Sequence, residues 1–472
     1  MSAMHMTSVL KVKYSCLGNM IHMGGGSSIV NSGHFRLKLS GRISVISRSS
    51  GVRGRTHHLS SSASASSASS SSPSSSSSSY QSQSQSQTSS QSARFPKRSL
   101  VFLGTPDVSA KLLSRLFEES RRTNLFEIKA VVTQPPRRKG RGKKVQPSPV
   151  AAIAEELGFQ NVDLTDESNA DADENKPVIL ATPSAKDGAL LAFLEKMQPD
   201  ICVTAAYGNF LPQQFLDIPK AGTLNVHPSL LPRFRGAAPV QRALETQEND
   251  TGVVVAYTVL KMDAGPVLAS HTIDASPGAV DGATDACVGD MQAPELLEYL
   301  FERGADLLVE ELKNDDVWSG EARETRATAQ DDAAACAAPM IDKEESWLDP
   351  ARNSAEETHA KVRAFAGWPG TKVLMSFVGD ADDPSSATMD GAVEVKVLAT
   401  RLLNSSEVTA PPPGVMAWQT SCKAWYLGCH GGGAVEVVTL QLPAKKPVDG
   451  KAFRNGFQNQ KAVLFFGGTA ES

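Results

Sequence analysis

Ser99-Leu100-Val101-Phe102-Leu103-Gly104 is an apolar run closed by glycine, and Thr105-Pro106-Asp107 follows it at once. A short apolar stretch bounded by turn residues reads as a strand buried on both faces. Proline and a carboxylate then stand where helices begin, which predicts an amphipathic helix through Phe117. The same alternation continues outward, with strands over 127–133, 201–207, 251–260 and 266–273 and helices over 148–157, 187–197 and 293–312. Apolar strands alternating with helices imply an α/β domain over 99–314, its mostly parallel sheet covered on both faces. Such sheets take ligands at the carboxyl ends of their strands. Past Asn314 the pattern decays into a linker over 315–349. A short helix over 356–365 and short strands over 393–403, 414–418 and 434–440, parted by Gly and Pro, then predict a small β-barrel over 350–472.

The chain has 472 residues, 40% of them apolar and 21% charged, an ordinary globular mixture and more than one domain's worth. No apolar run approaches the roughly eighteen residues that a membrane span needs, so no membrane partner is expected, and nothing demands more than a monomer. The first acidic residue is Asp107, whereas residues 1–98 hold 11 of the 47 Lys and Arg. A basic, acid-free, serine-rich leader has the composition of an organelle transit peptide, mitochondrial or plastid. Its stretch over 60–92 is nearly all Ser, Ala and Gln, which buries too little apolar surface to offset the entropy of ordering. Without the leader the chain carries about −15, which excludes a uniformly basic nucleic-acid binder and leaves only local patches for RNA. The six cysteines lack CxxC pairs and the spacing of a secreted scaffold. A reduced compartment with idle thiols is expected.

The chemistry lies in Asn225-Val-His227-Pro-Ser229-Leu230-Leu231-Pro232-Arg-Phe-Arg-Gly-Ala-Ala-Pro239. Side chains two apart on a strand share a face, so the Asn225 amide and the His227 imidazole emerge together where Pro228 ends the strand. An amide donor and a proton carrier suit acyl transfer, with Asp263 of Met262-Asp-Ala-Gly265 as the anion that orients the imidazole. Each residue alone reads as readily as a loop cap, a filled corner or a turn; the three together favour chemistry. Ser229 lacks a GxSxG elbow and Cys202 sits in a buried strand, so no covalent nucleophile is expected. The first turn lacks GxGxxG, which argues against a nicotinamide enzyme. No metal is required.

Arg137-Arg138-Lys139-Gly-Arg141-Gly-Lys143-Lys144 packs six cations into eight positions. Charge runs are often solvated faces, but in a chain otherwise so acidic this one suits a phosphate backbone. Lys445 and Lys446, near the end of the barrel, are a second and weaker candidate for RNA.

These strings, with Phe102-Leu-Gly-Thr-Pro-Asp107, Thr133-Gln-Pro-Pro136, Ala206-Tyr-Gly208 and the stretch through Gln241, resemble the methionyl-tRNA formyltransferase family in order from about Ser99 to Leu312. The C-terminal third matches in outline only. The resemblance implies a Rossmann-like formyltransferase domain followed by an OB-like barrel, and transfer of a formyl group from 10-formyltetrahydrofolate to methionyl initiator tRNA. It also implies Asn225, His227 and Asp263 as catalytic residues and Ser229, Leu230, Leu231 and Pro232 in the folate site. The loop around Arg141 would enter the tRNA acceptor stem, and the barrel would hold the same RNA. Other folate-dependent formyltransferases and hydrolases, or a non-catalytic RNA-binding relative, are the alternatives.

Overall fold

The computed structural model describes residues 98–139, 144–164, 176–379, 382–403 and 409–465. The leader lies outside them except for Arg98, as do Arg141, Lys143 and the side chain of Lys139. The α/β half runs β1 (Arg98–Gly104), α1 (Asp107–Thr123), β2 (Phe126–Thr133), the antiparallel pair β3 (Arg137–Lys139) and β4 (Lys144–Gln146), α2 (Pro149–Glu156), β5 (Gln160–Val162), β6 (Val178–Ala181), α3 (Gly188–Met197), β7 (Ile201–Ala205), α4 (Gln213–Leu216) and β8 (Thr223–His227). It continues through β9 (Arg235–Gly236), α5 (Pro239–Glu245), β10 (Asp250–Tyr257), β11 (Val267–Asp274) and α6 (Ala293–Glu311).

The main sheet has the order β11-β10-β8-β7-β1-β2-β6-β5. The six strands from β8 to β5 are parallel, and β10 pairs antiparallel with both β8 and β11. Leu100 to Leu103 are fully buried, because helices cover both faces of their strand. The chain progresses from β1 through β2 to β6, then returns to place β7 and β8 on the other side of β1. That reversal puts a crevice at the carboxyl ends of β1, β7 and β8. Asp107 is not the cap of α1: Pro106 takes the cap position without a side-chain hydrogen bond, and Asp107 is the first helical residue. Its charge acts there through the helix dipole. The strand expected over 251–260 ends at Tyr257, because the chain turns away before Lys261.

The segment expected as a linker is closely tied to the α/β half. It forms α7 (Asp315–Ser319), α8 (Ala322–Thr325) and β12 (Ala337–Ala338), and β12 pairs in parallel with β9. Trp318 is buried against Phe126 and donates its indole N–H to Leu312 at 2.8 Å. Next comes α9 (Ala355–Ala364), started by a capping box of Ser354 and Glu357. It packs on α5.

The barrel comprises β13 (Thr371–Gly379), β14 (Val393–Leu402), β15 (Val415–Gln419), β16 (Ala424–Gly428) and β17 (Ala434–Gln441), then the short β18 (Val448–Asp449), α10 (Gly450–Gly456) and β19 (Gln460–Phe465). Six antiparallel strands close in the order β14-β13-β19-β15-β16-β17, with β17 returning to β14. Trp425, Phe453, Val395 and Val435 are buried in its core. Across the seam between the two halves, Arg242 clasps both oxygens of Glu345 at 2.7 and 2.9 Å, and Arg363 donates to the Met291 carbonyl at 3.1 Å.

Candidate active site

His227 is the last residue of β8, and Asn225 stands two positions before it on the same face. Both reach toward one oxygen. The Asn225 amide nitrogen lies 3.5 Å from Asp263 Oδ1, and His227 Nδ1 lies 3.8 Å from the same atom. Asp263 comes from the turn between β10 and β11, with a left-handed backbone at φ 48°. Asp tolerates that conformation better than most residues. Gly265 completes the turn where a Cβ would stand 1.7 Å from the Tyr257 carbonyl, so no side chain fits.

The imidazole is oriented first by backbone. His227 Nε2 lies 3.1 Å from the Phe234 carbonyl oxygen, and a carbonyl only accepts, so Nε2 carries the proton. That leaves Nδ1 facing Asp263 and able to take a second proton. The sequence pointed to Asp263 alone for the orienting role; the Phe234 carbonyl shares it, and Asp263 is at charge-pair rather than hydrogen-bond distance. Asp263 is itself held, because the Gly236 N–H donates to Oδ2 at 2.9 Å and thereby turns Oδ1 toward Asn225 and His227. His227 is 5% exposed, so its neighbours act in a site with little water to screen them.

Ser229, Leu230, Leu231 and Pro232 form the loop that carries Phe234 back to the imidazole. The Ser229 hydroxyl is buried and donates to the Arg233 carbonyl at 2.8 Å, which makes it a builder of that loop. Leu230 lies over Gly252 of β10, where an added Cβ would stand 2.6 Å from its methyl. Cys202 is buried, and burial pushes its thiol up, far from nucleophilic use.

At the carboxyl end of β2, Gln134 is buried with its amide nitrogen unpartnered among the described residues, while its oxygen accepts from Arg137 at 2.8 Å. Burial pushes the phenol of Tyr207, just past β7 and two strands away in the sheet, above its usual range, which keeps it a neutral donor. Phe210, just after β7, is exposed. Gln134, Tyr207 and Phe210 all follow the carboxyl ends of strands of the main sheet.

The described ends of the basic cluster pair as antiparallel strands, Arg137 with Gln146, Arg138 with Val145 and Lys139 with Lys144; the expected loop around Arg141 lies outside the described residues. Arg138 and Lys144 are exposed with no ion-pair partner among the described residues, and the same holds for Lys445 and Lys446 on the turn between β17 and β18.

Sequence reasoning missed the backbone partners Phe234 and Gly236. Only their closeness to His227 in sequence was a signal.

Residues 97–286 match the formyl transferase family, and residues 340–458 match the formyl transferase C-terminal domain. The chain is 31% identical over 357 residues to the methionyl-tRNA formyltransferase of Thermotoga neapolitana, covering 76% of this chain and 95% of that one. To the methionyl-tRNA formyltransferase of Roseobacter denitrificans it is 33% identical, covering 78% and 99%. Among solved structures, HypX from Aquifex aeolicus in complex with tetrahydrofolic acid superposes with a TM-score of 0.43 at 17% identity; the match covers 76% of this chain and spans 47% of that protein's length.

Proposed function

Because the chain belongs to the methionyl-tRNA formyltransferase family, we propose that it moves a formyl group from 10-formyltetrahydrofolate to the α-amino group of methionine on initiator tRNA, as a monomer inside an organelle, the mitochondrion before the plastid. The observation that carries this is the convergence of Asn225 Nδ2 and His227 Nδ1 on Asp263 Oδ1. The formyl donor supplies an electrophilic carbon bearing one oxygen. Asn225 donates to that oxygen as it gains negative charge when the amine attacks. His227, held by Phe234, takes the proton released by the amine on Nδ1 and returns it to the leaving nitrogen. Asp263 stabilises the imidazolium that exists between those steps. The new C–N bond forms first, giving a tetrahedral oxyanion; the old one breaks as the leaving nitrogen takes the proton back from the same ring nitrogen and the formyl C=O is restored.

Gln134, Tyr207, Phe210 and the loop from Ser229 to Pro232 line the carboxyl edge on which the folate would lie. Arg137, Arg138, Lys139, Arg141, Lys143 and Lys144 would track the acceptor-stem phosphates, with Lys445 and Lys446 of the barrel on the same RNA. The acid-free leader over 1–98 supports import. Purified protein given charged initiator tRNA and, separately, glycinamide ribonucleotide decides the acceptor: preference for the nucleotide overturns the tRNA assignment. A fluorescent fusion of residues 1–98 reads the compartment, and a diffuse cytosolic signal overturns import.

A further inference from the structure

The segment from Thr328 to Ala338 crosses from one site loop to the other. Thr328 and Val267 exchange both backbone hydrogen bonds at 2.8 Å, beside the Asp263 turn. At the far end Arg235 N–H donates to the Cys336 carbonyl at 3.0 Å and Ala238 N–H to the Ala338 carbonyl at 3.1 Å. Gly236 approaches so closely that a Cβ would stand 2.5 Å from the Ala338 oxygen. Gln330 lies between these anchors. Its amide nitrogen donates to the Asp263 carbonyl at 2.9 Å and to the Gly265 carbonyl at 2.6 Å, while its oxygen accepts from Arg235 Nε at 2.9 Å and Nη2 at 2.7 Å.

We infer that Gln330 is a positioning residue for Asp263, locking the turn that presents the carboxylate to the loop that holds His227; this rests on the formyl-transfer reading of the site. The chemistry of the side chain fits the task closely. A primary amide offers two N–H donors and an acceptor in one plane, and here both turn carbonyls and a guanidinium use them. Among the described residues the Asp263 side chain accepts one short bond, from Gly236 N–H at 2.9 Å, beside the longer one from Asn225 at 3.5 Å, and Gly236 is neighbour to Arg235. Gln330 therefore fixes both ends of that bond, the carboxylate's backbone and its donor's strand. Asp332 adds a parallel link by pairing with Arg235 at 2.7 Å and Lys261 at 2.6 Å. Those pairs are solvated and screened, and contribute less to geometry.

The test uses the full chain with Gln330→Glu and Gln330→Ala. Glu keeps the acceptor for Arg235, so the fold is retained, yet it loses both donors to the turn. In both variants the single-turnover rate of formyl transfer should fall roughly 10- to 100-fold, since small misplacements of a catalytic group cost that much, with KM for tRNA and for the folate within about twofold. Independently of activity, hydrogen exchange over residues 261–266 should quicken while that over 223–227 stays as in the parent. Unchanged exchange over 261–266, or an unchanged transfer rate in Gln330→Glu, overturns the inference. A parent protein that forms no formylmethionyl-tRNA overturns the proposed function itself, and shows before any variant is compared.

Discussion

His227 and His359 are both largely buried imidazoles, yet the carboxyl edge of β8 and the seam beside α9 surround them differently. His227 has a backbone carbonyl on Nε2 and the Asp263 carboxylate beyond Nδ1. His359 bonds Thr400 Oγ1 through Nδ1 at 2.9 Å. Burial pushes its pKa down to about 4, Arg363 pushes the same way, and Asp290 only partly opposes them. Burial beside Arg363 keeps His359 a neutral packing group, whereas His227 has a fixed tautomer and a carboxylate facing Nδ1, the arrangement the proposed reaction uses. The difference lies in the neighbours, and so it can be broken by substitution.

The largest effect is expected at the carboxyl edge. Asn225→Ala should cut turnover by roughly 10²–10³, the usual loss on removing a donor to a developing oxyanion, and His227→Ala by roughly 10²–10⁴. His359→Asn should leave turnover within about twofold. Stopped-flow or quenched single-turnover formylation separates the two regions, and equal losses at His227 and His359 would abolish the contrast.

The second effect is thermodynamic and belongs to the seam. The unfolded chain protonates His359 near its ordinary 6.5, the folded chain only at about 4. Between those values the unfolded state binds more protons, so the contribution is full above about pH 6.5 and is lost as the pH falls toward 4. The loss amounts to about 2 kcal/mol at pH 5. Denaturant unfolding of the parent and of His359→Asn at pH 7 and pH 5 checks this: the variant should lack that share of the acid loss. Parallel losses in both would show that the imidazole is not held neutral.

How much of this could be read from the chain follows the same division. In the first half β1, β2, β7, β8, β10 and β11 were legible as apolar runs closed by Gly, Pro or polar residues, whereas the short β5 and β6 and the helices α4 and α5 were not expected. Of the barrel, β14, β15 and β17 were legible, but not β13, β16 and β19, nor its closure of β17 on β14, which depends on pairing between distant segments. Least legible was the segment over 327–340. Its bonds join Gln330 to Asp263, 67 positions earlier, and to Arg235, 95 positions earlier. Neither distance leaves a period in the sequence. The Phe234 carbonyl was hidden for a simpler reason, since every residue carries one.

The contrast extends to the surface. Arg138 and Lys144 are exposed and unpaired among the described residues, so they are free to meet phosphate. Arg138→Ala with Lys144→Ala should raise KM for tRNA several-fold and lower the salt slope of log KM by about one for each phosphate no longer neutralised, leaving KM for the folate unchanged. A change in folate KM instead would put β3 and β4 against the other substrate.

The smallest effect is expected on the barrel. Lys445 and Lys446 stand on a turn whose backbone is held by Gln441, which donates its side-chain N–H to the Lys445 carbonyl at 2.9 Å, and by Lys445 N–H to the Leu442 carbonyl at 3.1 Å. The cations are thus presented by a fixed turn, and both are exposed. Their contribution should be long-range attraction, which salt screens over about 8–10 Å at physiological strength. Lys445→Ala with Lys446→Ala is therefore expected to weaken tRNA binding by less than the Arg138 and Lys144 pair at low salt, and to become indistinguishable from the parent as salt is raised. Filter-binding titrations over a salt series read both variants on one scale. If the barrel pair costs more than the Arg138 and Lys144 pair, and continues to do so at high salt, the turn meets the RNA closely and the ranking of the two surfaces is reversed.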